Sequence, residues 1–180
     1  MPTLPSYVTA TVDEVRQRVS ALQAMAVLDS PPEEGFDALT RLAAMVCGTP
    51  IAIVSLIDGE RLWFKSTFGI EASSIDSARS FCCEAANSRS VLHIPNARRD
   101  PRFLENGLVT GELGVRHYAG APNMPGDVAV GTVCVLDIAP RTQTAMALRA
   151  LGEIAIVASV LLRARVEAFN LFSRTQYPKV

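Results

Sequence analysis

The chain has 180 residues, 49% of them hydrophobic and 19% charged, with a net charge of −1 and an isoelectric point near 6.1. That balance excludes a disordered chain and a basic nucleic-acid face, and the length allows one domain with a real core. Residues 1–5 lack a secretory pattern, the apolar run at residues 154–162 is far short of the ~20 residues of a membrane span, and Cys47, Cys82, Cys83 and Cys134 are too few and too irregular for a disulfide framework, so the expectation is a cytoplasmic protein with reduced thiols.

Residues 11–26 carry Val12, Val15, Val19, Leu22 and Ala26 at helical spacing, with Thr11 and Glu14 as a capping box. Ser30-Pro31-Pro32-Glu33 reads as the start of a second helix, whose apolar face is Phe36, Leu39, Ala43 and Val46 and whose stop is Gly48. Residues 51–57 are apolar except for Ser55, which suits a strand covered on both faces; Asp58-Gly59 then turns the chain into an aromatic strand at residues 62–68. The middle is irregular. Ser80 would cap a short helix at 81–88, residues 91–94 form a short strand, Asp100-Pro101 opens another helix, and residues 106–114 read as a loop. Residues 115–122 and 128–137 are two strands joined by a turn. A long helix follows from about 142 to 172, with one stripe at Leu148, Leu151, Ala155, Ala158, Leu162, Phe169 and Phe172, broken only by Arg165, and a second at Ile154, Val157 and Leu161. Local strand pairing with helices at both ends predicts an antiparallel sheet on a helical layer, an α+β fold.

Six stretches in this order resemble the GAF domains of bacterial sensor kinases and cyclic-dinucleotide synthases. They are Leu28-Asp29-Ser30-Pro31-Pro32-Glu33-Glu34, Trp63-Phe64-Lys65-Ser66, Ser80-Phe81-Cys82, Asp100-Pro101-Arg102-Phe103, Tyr118-Ala119-Gly120-Ala121-Pro122 and Gly131-Thr132-Val133-Cys134-Val135-Leu136-Asp137. The resemblance covers roughly residues 22–165. It implies an α/β sandwich with a central antiparallel sheet of about six strands, terminal helices on one face, and helices and loops covering a small-molecule pocket on the other. Residues 11–172 would be the GAF domain, 1–10 an N-terminal extension and 173–180 a C-terminal tail. Sensor GAF domains normally pass their last helix to an output domain; the sequence ends at Val180 without one, so the expectation is a stand-alone sensor or a fragment.

Strand alternation gives the expected pocket lining. Arg116 and Tyr118 share one face, as do Thr132 and Cys134, while His117, Ala119, Ala121, Val133 and Val135 face the helices. Phe81, Cys82, Asp100 and Phe103 would close the site, the alternative being a filled core without ligand. Cys82 and Cys83 fall in the first turn of a helix, where the dipole can lower a thiol pKa, although small thiols commonly serve only as packing. Covalent bilin attachment in GAF relatives usually uses Cys-His; Glu84 follows Cys83 here. A relative that reduces free methionine sulfoxide suggests a cysteine-based reductase or redox sensor as an alternative, but its surrounding motifs are missing, and no catalytic residue, cofactor or metal ligand set is assigned. Asp100 reads as a helix cap, and Arg98, Arg99 and Arg102 could meet an anion or solvent. The second stripe of the long helix needs a partner, which predicts a homodimer through the terminal helices with Leu151, Ala158, Leu162, Phe169 and Phe172 at the interface. The functional expectation is a small-molecule sensor that binds rather than catalyses and signals to a separate protein, without nucleic acid or membrane; the alternative is a structural dimerisation module.

Overall fold

The computed structural model describes residues 9–59, 61–76 and 80–176, without the side chains of Phe169 and residues 172–176. Most of the N-terminal extension, the end of the C-terminal tail, and the interface roles expected of Phe169 and Phe172 therefore lie outside the described residues.

Helix α1 spans Val12–Met25 and opens with the Thr11–Glu14 capping box. Helix α2 spans Glu34–Cys47 and ends on Gly48 in the left-handed conformation that glycine adopts without strain. Its N-cap is Glu33 rather than Ser30, whose hydroxyl donates to the Val27 carbonyl instead. Strands β1 (Ile51–Asp58) and β2 (Arg61–Phe68) form the expected hairpin, and β3 (Ser74–Asp76) adds an edge strand with no apolar run to announce it. After α3 (Phe81–Ser88) and β4 (Leu92–Ile94), Asp100 starts a turn and not a helix; the next helix, α4, is the single turn Gly107–Thr110, capped by Asn106 inside the stretch expected to be loop. Strands β5 (His117–Asn123) and β6 (Gly131–Asp137) precede α5, Ala145–Gln176. The sheet is fully antiparallel in the order β3-β2-β1-β6-β5-β4.

Period-2 alternation sends Ala52, Val54, Ala119, Ala121, Val133 and Val135 to one face, where α1, α2 and α5 cover them. Ile51, Ile53, Tyr118, Cys134 and Leu136 face the other core, beneath α3 and α4. A bulge in β2 leaves Lys65 without a partner in β1, so Lys65 and Ser66 both turn toward the helical layer. The Lys65 ammonium, 0% exposed, meets Glu33 at 2.6 Å and donates to Ser30 Oγ and the Pro31 carbonyl, each at 2.8 Å. It lies 5.5 Å from the centre of the Phe36 ring, and Ser66 donates to Asp37 at 2.6 Å. Two of the sequence stretches singled out above thus bond to each other, far from the pocket face.

Helix α5 corrects the interface expectation. Leu151, Ala158 and Leu162 are all 0% exposed in the single chain, filling its own core, so they have no surface left for a second copy. Residues 145–168 are long and apolar enough to cross a membrane, but a core helix meets the same criterion. The apolar surface that remains exposed on α5 runs through Met146, Ile156, Val157, Val160 and Leu171.

Candidate functional site

The second core contains a small cavity of about 40 Å³ between the sheet and the α3–α4 segment. Ser80 Oγ accepts from Cys83 N at 3.1 Å and so fixes where α3 begins, which aims Phe81 and Cys82 into this space. Phe81 stacks on Tyr118 at 5.0 Å and on Phe103 at 4.4 Å, forming an aromatic lid over β5. Tyr118 leans back across Gly120, and a methyl group built on Gly120 would come within 2.1 Å of the phenol oxygen.

One polar cluster interrupts the apolar walls. Cys82 Sγ lies 3.7 Å from Cys134 Sγ, the Tyr118 hydroxyl donates to Cys82 Sγ at 3.6 Å, and Ser55 and Thr132, opposite each other on β1 and β6, share a hydrogen bond of 2.9 Å. The two thiols titrate as a unit. Within the pair it is the Cys82 thiol whose pKa is lowered, by the Cys134 hydrogen bond first and then, against the opposing effect of burial, by the Thr132, Ser55 and Tyr118 hydroxyls. Cys134, which keeps its proton and donates the S–H hydrogen bond to Cys82, is pushed well above the ordinary range by that bond and by burial. Burial raises the Tyr118 phenol, keeping it a donor, and also raises the half-buried Cys83 thiol.

Of the residues expected to line the pocket, the cavity wall contains Phe81, Cys82, Tyr118 and Cys134. The other four are corrections. Phe103 packs behind Phe81, and Thr132 bonds Ser55 behind the thiols. Asp100 faces away: it accepts from Arg102, whose guanidinium also reaches the buried Glu84 at 3.2 Å, so Arg102 is neutralised by its own chain. Arg116 precedes β5, and its guanidinium donates to the Val109 and Val115 carbonyls, bracing α4. The sequence reading missed Ile53, Phe64, Leu108 and Leu113 in the wall, which come from distant segments; the Ser55 hydroxyl was visible as the one polar residue in the apolar run 51–57.

The histidines do a different job. His117 is fully buried, with Nδ1 3.0 Å from the Ile94 carbonyl and Nε2 3.3 Å from the Gln143 amide nitrogen; Gln143 also donates its backbone N–H to His93 Nε2 and its side-chain N–H to the Cys47 carbonyl. These partners assign His117 the Nδ1–H tautomer. Burial, ahead of any charge, depresses its pKa to about 4, so the ring is neutral. Cys82 and Cys134 interact with each other and with hydroxyls, not with an imidazole. Among the described residues no three His, Cys, Asp or Glu side chains converge on a cation site.

Residues 31–162 match the GAF domain family, and the chain belongs to it. It is 32% identical over 130 residues, 72% of the chain, to a cyclic di-GMP phosphodiesterase of Pseudomonas aeruginosa, of which the matched stretch is only 22%. Its fold is similar to the blue-light absorbing form of the Thermosynechococcus elongatus PixJ GAF domain (TM-score 0.64, 14% identity, 96% of this chain and 100% of that one). It is also similar to the free methionine-R-sulfoxide reductase of Neisseria meningitidis in complex with its substrate (TM-score 0.57, 16% identity, 92% of this chain and 97% of that one). At these identities the two structures establish the fold alone.

Proposed function

We propose that this GAF domain is a signalling module in which occupancy of the cavity under α3 is reported by the terminal helices of a homodimer to a separate output. The observation that carries the reading is the cavity itself: an apolar void with one cluster of thiols and hydroxyls in its wall, which is the make-up of a small-ligand site. A void of 40 Å³ admits an uncharged occupant of about two or three heavy atoms; a larger ligand requires the α4 segment, with Leu108 and Leu113, to move outward. The relative named as a cyclic di-GMP phosphodiesterase supports second-messenger turnover as the process under control. The exposed stripe at Ile156, Val157, Val160 and Leu171 is the surface through which two copies would pair.

Native mass spectrometry of the full chain tests this reading. The expected result is a small-molecule mass retained by the folded protein, released on denaturation, and absent from Leu113→Phe, which narrows the cavity. A second reading has an observation of its own: the cavity is small enough to count as filled core, leaving a structural dimerisation module. A dimer with no retained mass, and no uptake of pressurised xenon as a probe of the void, would establish that reading instead.

A further inference from the structure

We propose that Cys82 and Cys134 form a peroxide-oxidisable dithiol that closes into a disulfide between the start of α3 and the centre of β6. The inference stands whether or not the cavity also takes a ligand. Its first support is geometry: the two sulfurs face each other at 3.7 Å in the reduced chain, against the ~2.05 Å of the bond they would form. Its second is access. Both cysteines line the same 40 Å³ cavity, which exceeds the space of one water and accommodates hydrogen peroxide, a small uncharged molecule of two heavy atoms. Its third is the set of donors: the Tyr118 hydroxyl points at Cys82 Sγ, with the Ser55–Thr132 pair close by, so negative charge on that sulfur is stabilised without a metal or an imidazole.

The remaining cysteines lack this combination. Cys47 packs in the other core, on the far side of the sheet, and burial pushes its thiol up to about 11. Cys83 is adjacent in sequence but sits outside the cavity wall, and burial raises its pKa.

The chemistry balances with peroxide as the oxidant. The Cys82 thiolate attacks one peroxide oxygen; the S–O bond forms, the O–O bond breaks, and the departing oxygen leaves as water with the proton Cys82 has released. Cys134 then attacks the sulfenic sulfur of Cys82; the S–S bond forms, the S–O bond breaks, and the hydroxyl leaves as water with the Cys134 proton. Two thiols have lost two electrons and two protons, and peroxide has become two waters. The product ties the lid helix to a strand paired with both β1 and β5, and it removes the thiolate to which Tyr118 donates.

The test uses the reduced full chain and equimolar hydrogen peroxide, followed by alkylation under denaturing conditions and peptide mass mapping. The expected result is the loss of two of the four alkylatable thiols, and a dithiothreitol-sensitive link between tryptic peptides 80–89 and 117–141. Cys83→Ser should keep the link. Cys134→Ser should lose it and leave a sulfenic acid on Cys82 that dimedone traps. The idea is overturned if all four thiols of the wild type stay alkylatable, or if the link survives in Cys82→Ser and so runs through Cys83. Even if a variant fails to fold, fragmentation of the wild-type linked peptide between Cys82 and Cys83 assigns the bond, and a bond at Cys83 overturns the proposal.

Discussion

Tyr118 and Gly120 show how closely single residues set the site. The phenol ring occupies the space above Gly120, and any Cβ there collides with the hydroxyl oxygen and two ring carbons of a side chain already held between Phe81 and the sheet. Gly120→Ala should therefore cost about 2 kcal/mol of stability, the usual range for overpacking, and move the hydroxyl off Cys82. Urea denaturation reads the first effect, and faster alkylation of Cys82 reads the second. His117 sets a pH limit of a different origin. Its folded pKa of about 4 lies below the ~6.5 of an unfolded histidine, so the unfolded chain binds the extra proton between those values. Its neutral form contributes fully above pH ~6.5, and stability falls as the pH drops from there through 4. His93, depressed mainly by burial, acts in the same direction. The carboxylates with lowered pKa values, Glu33, Asp100 and Asp137, lose their contribution further down, below their unfolded range. Urea midpoints measured from pH 7.5 to 4.5 should fall steadily in the wild type and far less in His117→Gln.

At the scale of elements, the one break in the apolar stripe of α5 is a functional break in the packing. Arg165 donates through Nε to the Met25 carbonyl at 3.0 Å and through Nη2 to the Ala26 carbonyl at 2.8 Å, and pairs with Glu33. It thereby satisfies carbonyls at the end of α1, where Ala26 is in the left-handed conformation and the last turn carries no basic residue of its own. Glu33 is shared with Lys65, so one carboxylate joins α2, β2 and α5. Arg165→Ala should leave the sheet intact while amides of residues 20–27 exchange with deuterium about tenfold faster, equivalent to roughly 1.4 kcal/mol of local opening. The outward face of the same helix makes a separate prediction. Val160 is 47% exposed amid Ile156 and Val157, so Val160→Glu should convert the proposed homodimer to a monomer in light scattering at micromolar concentration without lowering the melting temperature. A wild type that is monomeric under those conditions removes the dimer from the reading.

For the whole molecule, what could be read from the chain was what repeats within it. An apolar run and an aromatic run placed β1 and β2, alternation put Tyr118 and Cys134 on the pocket side of β5 and β6, helical spacing placed α1, α2 and α5, and the Ser80 cap placed α3. Strand β3 escaped because Ser74-Ile75-Asp76 carries a single apolar residue, unlike the equally short but more apolar β4, and α4 because its glycine reads as loop. Arg116 was placed in the cavity by alternation and Asp100 by its position in the segment expected to close the site, and neither argument fixes the reach of a charged side chain, which bends to the nearest carbonyl or counter-ion. The β2 bulge at Lys65 leaves no trace in composition, yet it decides that a lysine points into the helical layer. Helix α5, finally, has proportions that no other element shares. At about 1.5 Å per residue its 32 residues extend roughly 48 Å, while the seven residues of β5 extend about 23 Å, so the helix is about twice as long as the strand it packs on. It is a lever with one arm seated in the core and the other reaching past that strand. A tilt of about 5° swings the end of an arm of about 25 Å by roughly 2 Å, so a small repacking around Leu151 is amplified along the helix.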